Sequence, residues 1–117
     1  MNNRELLELA AKAVGMPERV VGAKPGYYAL YPDTDGVEKF CCMNQWDPLI
    51  DDGDCARMET ALELCIVWGA NYVDVTCSND YESHAREFSE DHQGHDKNHI
   101  RRLASTRCAA EIGRKMT

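Results

Sequence analysis

No stretch of this sequence approaches the roughly 20 consecutive apolar residues that cross a bilayer, and the opening Met1-Asn2-Asn3-Arg4-Glu5 runs directly into a helical pattern instead of an apolar leader. The expectation is a protein that is neither membrane-inserted nor secreted. Repeats at solenoid periods, low-complexity tracts and Gly/Ser-rich linkers are missing as well. Nothing therefore marks a boundary within residues 1–117, and one compact domain is expected. The P-loop, dinucleotide-binding, serine-hydrolase elbow and zincin patterns are absent, as is any Cys-x-x-Cys pair. Those absences remove the reaction classes that are easiest to read from sequence.

What is present fits an ordinary globular chain: 44% of residues are apolar and 28% charged, which indicates neither disorder nor a fibre. The formal charge of −7 is uneven, because residues 98–117 hold Arg101, Arg102, Arg107, Arg114 and Lys115 against Glu111. That segment carries +4 and leaves −11 on residues 1–97. An acidic body of this kind disfavours nucleic acid, whose capture depends on a summed positive field. The basic final segment is expected to pack across the acidic body and balance it, and could draw a small anion locally. Cys55, Cys65 and Cys108 fall on apolar faces of predicted helices, so the six cysteines are expected to be structural free thiols of a reduced compartment.

Asn2 with Glu5 three residues later forms a capping-box variant that starts a helix with Leu6, Ala10 and Ala13 on its apolar face, and Gly15 and Pro17 end it. Residues 18–24 read as a loop. Tyr27-Tyr28-Ala29-Leu30-Tyr31 and Val37-Glu38-Lys39-Phe40-Cys41-Cys42 flank Asp35-Gly36 as a β-hairpin. A long helix is predicted from about Asp51 to Trp68, with Cys55, Met58, Leu62, Cys65 and Gly69 as its buried stripe and Ala61 beside it. Asn71 to Cys77 alternates as a half-buried strand with Val73, Val75 and Cys77 on one face. Ser83 to Ser89 reads as an edge strand with Phe88 turned inward. The last helix begins at Asp96 or Asn98 and lines up Ile100, Ala104, Cys108 and Ile112, joined by Leu103 and Met116. The predicted fold is α+β in the order αββαββα, a mainly antiparallel four-stranded sheet packed with three helices.

Four aspartates surround the start of the predicted long helix: Asp47, Asp51, Asp52 and Asp54. Clustered carboxylates bind hard cations, and a metal-dependent hydrolase using the Asp47–Asp54 cluster, with Asp51, Asp52 and Asp54 as the candidate metal ligands, is the enzymatic alternative. Their spacing does not match a calcium loop, and a capping role for Asp51 or Asp52 beside the positive helix end explains the same residues. Trp46 either closes one end of the core or stacks on a ligand. His84, His92, His95 and His99 lie in a polar stretch; His95 and His99 have the four-residue spacing of a shared metal, yet further ligands are not evident, and solvated loop histidines are expected. Cys55 follows acidic residues that suppress a thiolate.

The run Trp46-Asp47-Pro48-Leu49, then Asp51-Asp52-Gly53-Asp54 and a helix, the opening Arg4-Glu5-Leu6-Leu7-Glu8-Leu9-Ala10-Ala11-Lys12-Ala13, and the ending with Arg101-Arg102 and then Arg107-Cys108-Ala109-Ala110-Glu111-Ile112-Gly113-Arg114-Lys115-Met116 resemble the phage ABA sandwich domain proteins. The resemblance implies a sheet packed with helices and a phage origin, hence action in the cytoplasm of an infected bacterium; it brings no catalytic residues and no cofactor. The expected function is that of a non-enzymatic accessory protein that binds a host protein or a small anionic ligand and counters host defence. In one form Arg101 and Arg102 hold the phosphates of a nucleotide-type signal while Trp46 or Tyr81 stacks on its base. A virion structural or assembly role is a further alternative. An uncovered sheet edge would favour homo-oligomers.

Overall fold

The computed structural model describes residues 2–21, 24–32 and 38–116. Among them the chain runs α1 (Asn3–Ala13), β1 (Arg19–Val21), β2 (Lys24–Gly26), β3 (Tyr28–Pro32), β4 (Glu38–Gln45), α2 (Asp52–Ala61), β5 (Cys65–Trp68), β6 (Tyr72–Cys77), β7 (Ser83–Phe88), a 3-10 turn (Ser89–His92) and α3 (Lys97–Lys115). The class is α+β with three helices. The single four-stranded sheet is corrected: the strands form antiparallel ribbons β1-β2 and β3-β4 and a three-stranded antiparallel sheet β5-β6-β7. Residues 18–24, expected as a loop, contribute β1 and the start of β2. The predicted Asp35-Gly36 turn lies outside the described residues. No described helix is long and apolar enough to cross a membrane.

The largest departure from the predicted order is at the second helix, which stops at Ala61 instead of Trp68. Glu63 takes the left-handed conformation at φ 54°. Its N–H donates to the Thr60 carbonyl at 3.2 Å, and the Leu64 N–H donates to Glu59 at 2.9 Å, the paired bonds that close a helix end around a left-handed residue. The freed Leu62 carbonyl accepts from the Cys77 thiol and the Asn79 amide. Released from the helix, Cys65 to Trp68 pair with β6, Cys65 opposite Thr76 and Trp68 opposite Val73. Cys65, placed on the buried stripe from spacing, is exposed on that strand, and Ala61, expected beside the stripe, is exposed in the last turn of α2.

β6 keeps Val73, Val75 and Cys77 buried on one face, where they meet Ile100, Ala104, Cys108 and Ile112 of α3. On β7 the buried face belongs to Ser83 and Glu87, with Ala85 between them. Phe88 is not turned inward: it pairs directly with Tyr72, the rings 6.1 Å apart, and the Arg86 guanidinium lies 4.4 Å from the Tyr72 ring centre.

α3 has a second buried flank. Ala109 joins Ala10 and Ala11 of α1, Cys55 and Met58 of α2, and Trp46 in a separate apolar cluster. α1 approaches α3 so closely that a β-carbon on Gly113 would stand 1.9 Å from the Leu9 carbonyl oxygen. Small residues on both helices allow that approach: Ala10, Ala11, Ala109 and Ala110 are all buried. Replacing Gly113 by Ala would therefore force the helices apart. The expected loss is roughly 2 kcal/mol, although Ala favours a helix interior over Gly by about 1 kcal/mol. Urea unfolding of Gly113→Ala measures it as a lowered midpoint at unchanged slope; a midpoint at or above wild type would refute the contact.

Candidate functional site

The aspartate turn is a closed structural device. Asp51 is the N-cap of α2, its carboxylate accepting the Asp54 N–H at 2.8 Å. Asp54, 2% exposed, accepts the Asp47 N–H at 3.0 Å and the Arg57 guanidinium at 2.7 Å. Asp47 turns back on the Leu49 N–H at 3.0 Å; burial pushes its carboxyl up, and the Leu49 and Ile50 N–H groups offset part of that rise. Asp52 receives Arg102 at 2.6 Å. Each carboxylate is directed at a donor of the protein itself, as a helix start requires. Among the described residues, no three His, Cys, Asp or Glu side chains converge in a way that could hold a metal.

The two arginines are engaged inward. Arg102 also donates to the Leu49 carbonyl at 2.9 Å, so it ties the first turns of α3 to the acidic turn. Arg101 lies 3.2 Å from Glu59, in ion-pair contact but not aligned as a hydrogen bond. Ser105 donates to the same carboxylate at 2.6 Å. This buried group surrounds Cys55, whose thiol is pushed up to about 11, first by burial and then by Glu59. A thiol so held is a packing residue, not a nucleophile. Tyr81 lies elsewhere: the neighbouring Glu82 carbonyl accepts Lys115 at the far end of α3. The thirteen helical steps from Arg102 to Lys115 span roughly 20 Å. The structure thus does not bring Tyr81 and the arginines together.

The histidines divide into two groups. His84 binds Asp74 at 3.1 Å on the open face of the sheet, where Arg86 also grips Asp74 through two bonds of 2.6 and 2.7 Å. Arg86 and His84 hold the Asp74 carboxyl well below the usual range. His92 is held by the buried Glu87 at 2.9 Å, which Arg107 also contacts. His92 and His99 meet edge to face, and His95 stacks on His99 with centroids 3.9 Å apart. His99 sits three residues past the α3 cap Asp96. Burial, then His95, His92 and Arg102, lower its pKa.

Trp46 is 5% exposed and belongs to the core, yet one side of it forms the floor of a cleft. Its N–H donates to the Tyr27 carbonyl at 2.7 Å, extending the β3-β4 ladder and setting the two aromatic residues beside each other. Facing them is α1, with a hollow of about 550 Å³ lined by Arg4, Leu7, Glu8, Glu18, Gly26, Tyr27 and Trp46. Across Glu8, Glu18 and Tyr27 it adjoins a second, of about 540 Å³, that adds Glu5, Leu9, Lys12 and Met16. Two cations also stand on the rim: Arg4 pairs with Glu8 at 3.1 Å, and Lys12 donates to the Met116 carbonyl at 2.9 Å. The Tyr27 phenol is raised by burial and then by Glu18 and Glu8, a local sign of the negative field. The floor is apolar and aromatic, and the rim sets Glu5, Glu8 and Glu18 against Arg4 and Lys12, a net acidic balance.

Protein-family models, curated proteins and solved structures offer no match to this chain. The cleft is read on its own chemistry. Of the residues singled out in the sequence, Trp46 lies in it; Glu8, Glu18 and Tyr27 were missed, because only the docking of α1 beside residues 18–27 brings them together.

Two measurements test this description. Alkylation of the native protein, read by peptide mass, is expected to label the exposed Cys65 well before Cys55, Cys77 and Cys108, which are buried; equal labelling would mean that α3 does not cover them. His99 is held with its neutral form favoured, so the unfolded chain binds the extra proton. Its contribution is complete above the unfolded value near 6.5 and fades as pH falls through the lower folded value. The urea midpoint should fall between about pH 7 and pH 5, and fall less in His99→Gln.

Proposed function

We propose that this chain is a non-enzymatic phage accessory protein that acts in the host cytoplasm by binding a host protein, and that the cleft of Glu5, Glu8, Glu18, Tyr27 and Trp46 receives a Lys- or Arg-bearing segment of that partner. The observation that carries the reading is the aromatic floor under an acidic rim, on a chain of net charge −7. A cation entering the cleft gains the carboxylates and the ring faces together, while its aliphatic stem packs on Leu7, Leu9 and Met16. The phage setting rests on the resemblance of the Trp46-Asp47-Pro48-Leu49 and C-terminal motifs.

The geometry gives less support to a nucleotide sponge built on Arg101 and Arg102, because a phosphate would have to displace Glu59 and Asp52 from them. It also gives less to a hydrolase built on Asp51, Asp52 and Asp54, whose oxygens answer N–H groups and arginines.

The test uses Trp68→Phe, which leaves Trp46 as the single indole of the chain. Titration with an alternating Lys-Leu peptide is expected to shift the Trp46 emission saturably, more weakly as salt rises. A Glu-Leu peptide should leave it unmoved, and Glu8→Lys with Glu18→Lys should abolish the response. If the emission ignores the cationic peptide, the cleft is not the binding surface.

A further inference from the structure

We propose that β5 is a self-association strand, which pairs antiparallel with β5 of a second copy and joins the two three-stranded sheets into one of six. β5 is an edge of its sheet and pairs only with β6 among the described residues. Its sequence Cys-Ile-Val-Trp contains no charge, proline or glycine. Val67 is 53% and Trp68 42% exposed, so two of the most exposed large apolar side chains are consecutive on this one strand. Free edges of natural sheets are usually blunted by charge, proline, a bulge or a covering element. The opposite edge follows that rule, since β7 carries His84, Arg86 and Glu87 and packs on α3. β5 carries no such residue of its own: the Lys97 ammonium of α3 stands 5.6 Å from the Trp68 ring centre on the α3 face, and Val67 on the open face is 53% exposed.

Register decides what fits the edge. Ile66 and Trp68 pair with Val75 and Val73, which are buried against α3, whereas Cys65 and Val67 pair with Thr76 and Asp74 on the open face. A two-fold axis normal to the sheet makes the strands antiparallel and keeps the faces in common, so each side chain meets one from its own face, Ile66 on Ile66 or Val67 on Val67. Both α3 helices then lie on the same side. With no charge in β5 to select a charged segment, a second copy supplies the matching backbone edge and matching apolar side chains on both faces. Four residues make a short seam, below the standard interface size of about 1,200–2,000 Å², so the dimer is expected at the weak end of the range.

Sedimentation equilibrium of the full chain from micromolar to millimolar concentration reads the association. Wild type is expected as a reversible monomer–dimer equilibrium that tightens with salt, because two bodies of charge −7 repel. That salt response is opposite to the one expected for the cationic peptide in the cleft, so either reading can fail alone. Val67→Lys, at an exposed position, should weaken the dimer at least ~10-fold and Val67→Thr by less than ~3-fold, with circular dichroism confirming that both fold. Amide exchange at Ile66–Trp68 should slow with concentration in wild type and not in Val67→Lys. A wild type that stays monomeric throughout overturns the proposal, as does a dimer that Val67→Lys leaves intact.

Discussion

The contact on which the rest depends is the crossing of α1 over α3, where the Leu9 carbonyl occupies the space that any side chain at Gly113 would need. Two alanines on each helix bring the backbones together there, and dispersion over many close atoms holds them. The position of α1 then sets much else. Glu5 and Glu8 become one wall of the cleft, Lys12 reaches the Met116 carbonyl, and Ala10 and Ala11 close the cluster that holds Trp46.

A second constraint is polar. Arg101, Arg102 and Ser105 fasten the first half of α3 to α2 and its leading turn through Glu59, Asp52 and the Leu49 carbonyl. A largely buried ion pair such as Arg101–Glu59 adds little net stability over an apolar substitute, but removing one partner leaves a charge without compensation. The same ties turn Arg101 and Arg102 toward carboxylates of the protein itself.

Much of this was legible in the sequence because it is local. The Asn2 and Glu5 cap, the Asp51 cap, the alternation of β6 and the fourfold row of α3 are periodicities or short-range hydrogen bonds, and all stand. The end of α2 was not legible. Met58, Leu62 and Cys65 satisfy a helical stripe, and the residue that stops the helix is Glu63, a good helix former in the left-handed conformation whose carboxylate accepts the Asn79 amide of the turn after β6. The β-branched pair Ile66-Val67 was the available signal, and it marks a strand only once the helix has ended. The cleft was illegible for a different reason: its acidic rim and aromatic floor come from segments whose meeting is tertiary. Trp46 could be read as core or as contact, and the fold places it in the core with one side lining the cleft.

α3 closes the sheet cluster with one flank and the helical cluster with another, and it follows every other described element in the chain. During synthesis the segments that will form α1, the ribbons and the small sheet are all present before the helix that covers them. Neither apolar cluster can be completed by those earlier segments alone, so no stable N-terminal subdomain should accumulate on the ribosome. Folding is deferred until α3 has emerged, and the exposed Cys-Ile-Val-Trp strand spends that interval within reach of chaperones or of other nascent copies.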